Sequence, residues 1–375
     1  MVKKIVIVHH QPLEMFPPVL NLLRYLSTQL ANQFKVFVLT TQSELNFRML
    51  EAGNISITRI YKTNRNNRTL KKVFNFGLFV IRSLFLLLKS RPDSILYYES
   101  HSALPVFLYY KYFRGKSKLF IHYHEYMTHA EYSSPGMRLI NYSHKKEGLL
   151  YTIASWISHT NEKRMELFLK DNPRINKEVC KTLPNYPPLA WAFDIAISNR
   201  KTFPVRLVYV GSFGSFETLY IKELLNWVNR SPSFILDIYS FNVTDEVNDF
   251  ISAMNSKNIQ VKGNVDYDLL PSVLKAYTVG IILYKANSLN FQYNAPNKLF
   301  EYLAIGLDVW FPEEMLGCLP YVREDVYPKV IKVDFKNLKD FEYQKALNKT
   351  SLVKRNNDFF CENIFGPLVN KLAEC

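Results

Sequence analysis

Short apolar runs alternate along this chain with longer stretches whose apolar positions recur at helical spacing, and the alternation occurs twice. In the first half, runs at 5–8, 36–40, 94–98, 119–123 and 153–158 predict strands, and stretches at 17–31, 70–89, 103–113 and 161–170 predict helices between them. The runs are short and largely apolar, and their alternation with helical stretches implies a parallel sheet flanked by helices. A run at 179–183 then meets Pro184, Asn185, Tyr186, Pro187 and Pro188, the clearest linker signal in the chain. In the second half, strands are predicted at 205–210, 234–239, 259–261, 279–284 and 307–311, with helices at 217–229, 245–255, 267–276 and 296–305. The expected class is α/β, with two doubly wound Rossmann-like domains at 1–185 and 204–355, a linker at 186–203 and a terminal segment 356–375 holding an amphipathic stretch at 357–373. No internal repeat or low-complexity tract interrupts this pattern.

The most informative stretch is YNAPNKLFEYLAIGLDVW, which begins at Tyr293 and ends at Trp310. Asn294 is placed to cap a helix, Pro296 suits its first turn, and Gly306 follows the last apolar repeat. Leu299, Phe300, Leu303 and Ala304 are the expected buried side, while Lys298 and Glu301 project together near the helix start. Unpaired N–H groups and the helix dipole favour an anion there. A phosphate next to a carboxylate that accepts from ribose hydroxyls is what a bound nucleotide requires. Read by itself, the pair is a solvated i, i+3 contact worth only about 0.2–0.5 kcal/mol.

Composition refines this picture. A length of 375 residues exceeds one comfortable core, and a hydrophobic share of 48% is enough to fill two. Cys180, Cys318, Cys361 and Cys375 show no paired spacing, which argues against a disulfide framework or a zinc site and for a reducing cytoplasm. The apolar run behind Lys3 and Lys4 is too short for a signal peptide, and no run is expected to reach the ~20 residues of a membrane span. The net charge of +14 divides unevenly: residues 1–185 carry 27 Lys+Arg against 12 Asp+Glu (+15), and the remainder 20 against 21 (−1). Such a field calls for an anionic partner, whether a membrane surface, an anionic glycolipid or nucleic acid. Nucleic acid is disfavoured, because no helix-turn-helix, zinc-finger or aromatic-basic strand motif accompanies the charge. Between Arg59 and Arg91 stand nine basic residues and no acid, flanking a stretch at 70–88 that is apolar on more than one face. Arg65, Arg68, Lys71 and Lys72 next to that stretch suggest peripheral attachment to the inner face of the cytoplasmic membrane.

The Tyr293 segment resembles the donor-binding segment of family 4 glycosyltransferases of the GT-B fold, at Tyr293, Pro296, Lys298, Glu301, Tyr302, Ala304, Gly306 and Val309. The resemblance implies two Rossmann-like domains facing across a cleft, with Glu301 on the ribose hydroxyls and Lys298, with the backbone around Asn297, facing the diphosphate. Many relatives have a glutamate where this chain has Tyr293, and the usual proline is replaced by Asp308. The loop Gly211-Ser212-Phe213-Gly214-Ser215 sits between a strand and a helix, where the family opens its donor domain; an ordinary tight turn is as good a reading of the glycines alone. Gly263, Asn264 and Val265 match the place where relatives hold the base, and a plain turn is equally open. Phe120 to Tyr126 resembles the family stretch whose histidine reaches the donor sugar. His124 is thus the candidate for that role over His122, with Glu125 as an acceptor-side or orienting carboxylate. His122 and His124 alternate to one side as a metal pair would, but no third ligand follows at a suitable spacing, so no metal is expected. His9 and His10 after the first strand, and Glu99 and His101 after another, are candidate acceptor contacts.

These residues imply a cytoplasmic glycosyltransferase that moves a sugar, from a UDP-sugar rather than a GDP-sugar, to a glycan or lipid-linked acceptor in cell-surface polysaccharide synthesis. Retention of configuration, the absence of a metal and the lack of any cofactor beyond the nucleotide-sugar substrate follow from the resemblance alone. The alternatives are a GT-B sugar-nucleotide epimerase, which needs acid/base carboxylates not visible here, and a non-catalytic subunit that binds a glycan or a partner enzyme.

Overall fold

The computed structural model describes residues 2–44, 50–62, 69–192, 203–348, 353–354 and 357–374. The chain divides into two compact units, Met1–Asn185 with Cys361–Cys375, and Tyr186–Phe360.

The first unit is built on a sheet of strands β1 (Lys3–Pro12), β2 (Phe34–Gln42), β3 (Ile55–Lys62), β4 (Ser94–Tyr98), β5 (Lys118–Tyr123), β6 (Ala154–His159) and β7 (Cys180–Thr182). Their order is β3-β2-β1-β4-β5-β6-β7, and every neighbouring pair is parallel. Helices α1 (Pro17–Thr28), α2 (Thr69–Ser90), α3 (Ala103–Phe113), α4 (His129–Tyr132), α5 (Arg138–Ile153) and α6 (Glu162–Asp171) make the crossovers. Ile5 to Val8 in β1 and Ile95 to Tyr98 in β4 are buried, as strands sandwiched between helices must be. The first strand runs on to Pro12, so His9 and His10 lie within it and not in a loop after it. β3 was not predicted: it is an edge strand whose Ser56, Thr58 and Arg59 break any apolar run. Neither was α5, whose inward residues include Ser143 and Glu147.

α2 departs from expectation in another way. Asn75, Gly77, Arg82 and Ser83 interrupt its apolar run, yet by length and composition it would be able to cross a membrane. Phe76, Phe79, Val80 and Leu87 commit one side of it to the core. The terminal helix, labelled α13 below (Glu362–Ala373), belongs to this unit: it buries Phe365, Leu368, Val369 and Leu372, and the Phe365 ring lies 5.5 Å from Tyr25.

The second unit holds β8 (Val205–Val210), β9 (Phe234–Tyr239), β10 (Ile259–Gly263), β11 (Val279–Ile281), β12 (Asp308–Pro312) and β14 (Val330–Val333), with a two-stranded ladder of β13 (Val326–Tyr327) and β15 (Val353–Lys354). The sheet runs β10-β9-β8-β11-β12-β14, again wholly parallel. Its helices are α7 (Ile221–Asn229), α8 (Asp245–Met254), α9 (Leu270–Leu274), α10 (Leu289–Gln292), α11 (Asn297–Ile305) and α12 (Tyr343–Leu347), which precede α13. α7 starts four residues later than predicted. The Thr218 N–H donates to Ser215 Oγ at 3.3 Å and the Tyr220 N–H to the Leu283 carbonyl at 2.9 Å, which spends the intervening segment on a turn.

In both sheets the chain reverses direction across the strand order, between β1 and β4 and between β8 and β11. Doubly wound sheets bind ligands at the carboxyl ends of the strands beside such a switch point. α11 stands beside the second one. Gly306, at φ +76°, ends α11 in the left-handed conformation that glycine tolerates. The expected Asn294 cap is absent: Pro296 occupies that position without a side-chain bond, and the Asn294 carbonyl instead accepts from Cys318 Sγ at 3.4 Å.

Tyr302 of α11 fills the space above Gly280 in β11, where a Cβ would stand 2.2 Å from its ring. Gly280→Ala is therefore expected to destabilise the second unit by about 1–3 kcal/mol through overpacking. A denaturant midpoint unchanged from wild type would show that the ring can move aside.

Candidate functional site

At the carboxyl edge of the second sheet, three loops are joined to one another. The Gly211 N–H, at φ +146°, donates to the Tyr239 carbonyl at 3.0 Å. The Phe213 N–H donates to the Asn242 carbonyl at 3.0 Å, and Asn242 Nδ2 donates to Ser212 Oγ at 3.0 Å. The Ser240 N–H reaches the carbonyl of Gly263, itself at φ +78°, at 2.9 Å. Asn264 is exposed next to it, and Val265 packs into the apolar cluster that holds Val210, Leu299 and Tyr302. Two N–H groups of this loop, those of Gly211 and Phe213, are thus already taken within the protein. The loop also ends well short of α7, so that helix start does not serve it.

α11 is tied to the same edge, because the Val210 N–H at the end of β8 donates to Tyr302 Oη at 3.1 Å. Instead of one apolar side, α11 is buried from Leu299 to Ile305. Glu301 is fully buried and is not part of a solvated pair. Its Oε2 accepts from Lys298 Nζ at 2.6 Å, while Oε1 has no partner among the described residues. A buried carboxylate oxygen without a donor costs free energy unless a ligand supplies one. Lys298 and Asn297 are half-buried at the helix start, as is Tyr293 at the end of α10. The Tyr293 backbone is held in place by Gly317, where a Cβ would come within 2.4 Å of its carbonyl.

The first sheet collects histidines at its switch point. His9, within β1, is fully buried against Phe16 and Tyr98. His10 stacks on His101 at 5.5 Å and shares a 2.9 Å hydrogen bond with Tyr61. Tyr98 stacks on His124 at 5.3 Å, and His122 Nε2 lies 3.3 Å from His124 Nδ1. His124 Nε2 is buried without a partner among the described residues. Burial pulls His124 and His101 down to about 4 and His10 to about 3, so all three are neutral at neutral pH. Glu99 holds this edge together: its carboxylate accepts from the His124 N–H at 2.6 Å and also from the Glu125 N–H. It does so at φ +61°, a conformation that costs a non-glycine residue of the order of 1–3 kcal/mol. Burial, with the Glu125 charge close by, pushes Glu99 up to about 8. Glu125 itself is exposed.

Several participants were not visible in the sequence. Asn185 Oδ1 lies 3.3 Å from His124 Nδ1, although its place in a proline cluster reads as linker. Arg164 Nη1 donates to the His124 carbonyl at 2.6 Å from a helix that looks purely amphipathic. Below the edge, Glu147 of α5 accepts from Tyr97 (2.9 Å), Tyr123 (2.6 Å) and Ser100 (2.7 Å), a buried network with no sequence motif.

No protein-family model matches the chain, and neither does any curated protein. Solved structures do. Sucrose-phosphate synthase from Thermosynechococcus elongatus superposes with a TM-score of 0.68 at 14% identity over 99% of each chain. The lipopolysaccharide outer core galactosyltransferase WaaB, in its apo form, superposes at 0.63 and 12% over 99% of each. UDP-GlcNAc 2-epimerase from Neisseria meningitidis, bound to UDP-GlcNAc, gives 0.59 and 13% over 99% of this chain and 100% of that one. At such identities the likeness establishes the fold, which is GT-B: two parallel sheets of seven and six strands with alternating helices.

Proposed function

We propose that the protein is a glycosyltransferase that takes its sugar from a nucleotide donor, UDP-linked in preference to GDP-linked, and passes it to a glycan or lipid-linked saccharide. The observation that carries this reading is Glu301, a fully buried carboxylate with one oxygen on Lys298 and the other without a partner among the described residues. A ribose hydroxyl is the donor that the free oxygen lacks. Lys298 and the N–H groups at the start of α11 then serve the diphosphate, neutralising charge as it gathers on the leaving oxygen. The Ser212 and Ser215 hydroxyls, whose oxygens already accept from Asn242 and Thr218, keep a proton to donate, and with exposed Asn264 they would serve the rest of the nucleotide. In the first unit, Glu99, His101, Glu125 and the free Nε2 of neutral His124 suit the hydroxyls of a saccharide. The role of His124 toward the transferred sugar, retention of configuration and metal independence rest on the family resemblance.

A panel of UDP- and GDP-sugars in calorimetry identifies the donor. Glu301→Ala is then expected to weaken donor binding by about 1.5–3 kcal/mol, the usual worth of charge-assisted hydrogen bonds. Unchanged affinity would remove Glu301 from the site. The epimerase reading, favoured by the likeness to a UDP-GlcNAc 2-epimerase, predicts a new sugar nucleotide from donor alone. The transferase reading predicts nucleoside diphosphate release that depends on acceptor.

A further inference from the structure

The outer side of α2 is apolar and uncovered among the described residues. Leu70 is 85% exposed, Phe74 70%, Ile81 67% and Phe85 59%. This is not a disordered end: the opposite side of the helix sends Phe79 and Leu87 fully into the core. α3 packs beside α2, and its last turn adds exposed Tyr112 and Phe113 to the same layer of helices. Monomeric proteins rarely leave so many large apolar side chains together in water unless something covers them.

The charges around the patch say what that something is. Lys71, Lys72, Arg82, Lys89 and Lys111 are all exposed along these two helices, and neither helix contains an acid. Lys89 Nζ stands 6.0 Å over the Phe85 ring and Lys111 Nζ 5.1 Å over Tyr112. Long cationic side chains that lie along apolar surface and carry their charge to its rim behave this way beneath headgroups. A protein partner would have to be apolar at its centre and acidic all round. A bilayer with anionic lipid offers both properties by its nature.

We infer that this face docks on an anionic bilayer, with α2 lying in the interface plane, its outer side among the acyl chains and its lysines at the phosphates. The helix lies on the membrane and does not cross it, because crossing would strip Phe79 and Leu87 from the core. Arg65 and Arg68, expected from the sequence to share this role, lie outside the described residues, so the inference rests on the helix itself. It is also independent of the donor site, since none of these side chains contributes to it.

The test is flotation of the full chain with neutral phosphatidylcholine vesicles and with vesicles containing phosphatidylglycerol, at low and high salt. Wild type is expected to float with the anionic vesicles only and to be released by salt. Two variants separate the contributions: Lys71→Glu with Lys72→Glu and Lys89→Glu, and Phe74→Ser with Ile81→Ser and Phe85→Ser. Each is expected to lower partitioning at least about tenfold, with an unchanged thermal melt because every altered side chain is exposed. Failure of wild type to float overturns the inference, as do variants that float like wild type. Resistance of bound protein to salt and alkaline extraction would overturn it in favour of a spanning helix. A dimer in solution that the triple serine variant abolishes would overturn it in favour of a second copy of the chain.

Discussion

Acidification from about pH 7.5 to about pH 5 is expected to cost the protein several kcal/mol of stability, well before its carboxylates protonate. The cause is the histidine cluster of the first unit. Burial holds His124 and His101 at about 4, and His10 and His159 at about 3. In the unfolded chain each titrates near 6.5, so below that pH the unfolded state binds protons that the folded state refuses. Stability is therefore fully present above about 6.5 and drains away as pH falls toward the folded values, by about 2 kcal/mol per histidine at pH 5. Glu99 acts in the opposite sense: with its carboxyl raised to about 8, it keeps a proton that the unfolded state loses, and so favours folding as pH falls from 8 toward 4.5. It is one group against four, so the histidines prevail. Thermal melts across this range check the sign, and Glu99→Gln should steepen the acid loss by removing the opposing contribution. A melting temperature that is flat or rises between pH 7.5 and 5 would mean that the histidines are solvated in solution.

Lys298→Ala should lower turnover by about 10²–10³, the usual cost of losing one donor that stabilises developing charge, with a smaller effect on donor affinity. In the reaction proposed above the ammonium would face a diphosphate whose leaving oxygen becomes fully charged only as the glycosidic bond breaks. The variant also leaves Glu301 buried without its 2.6 Å partner, so its melting temperature should fall, and the assay belongs well below that temperature. Turnover at saturating donor and donor affinity by calorimetry separate the two effects. Unchanged turnover with weakened affinity would mean that Lys298 binds ground state and transition state alike.

The layered architecture was legible because parallel strands under helices on both faces leave uninterrupted apolar runs, as at Ile5 to Val8 and Ile95 to Tyr98. Elements that break that rule were hidden. β3 is an edge strand threaded with serine, threonine and arginine. β14 has only four residues, and α5 turns polar groups inward because Tyr97, Tyr123 and Ser100 are there to donate to Glu147. The Lys298 and Glu301 pairing was readable from i, i+3 spacing. The burial of Glu301 was not, since spacing tells which residues share a face and not what lies opposite. In the first unit the polar strand exits could be read one by one. Their assembly through the Tyr98 ring, and the part played by Asn185, depend on contacts between residues far apart in sequence.

Tyr302 sets a limit on how this protein can diverge. Its ring needs the bare backbone of Gly280 beneath it, and its hydroxyl accepts the Val210 N–H. α11, the middle of β11 and the end of β8 are therefore inherited as one block. A chimera that imported a foreign version of α11 to change donor preference would fail unless the residue beneath its aromatic ring came with it. Substitutions that retune the donor should instead accumulate at Asn264, whose exposed side chain can change without disturbing that joint.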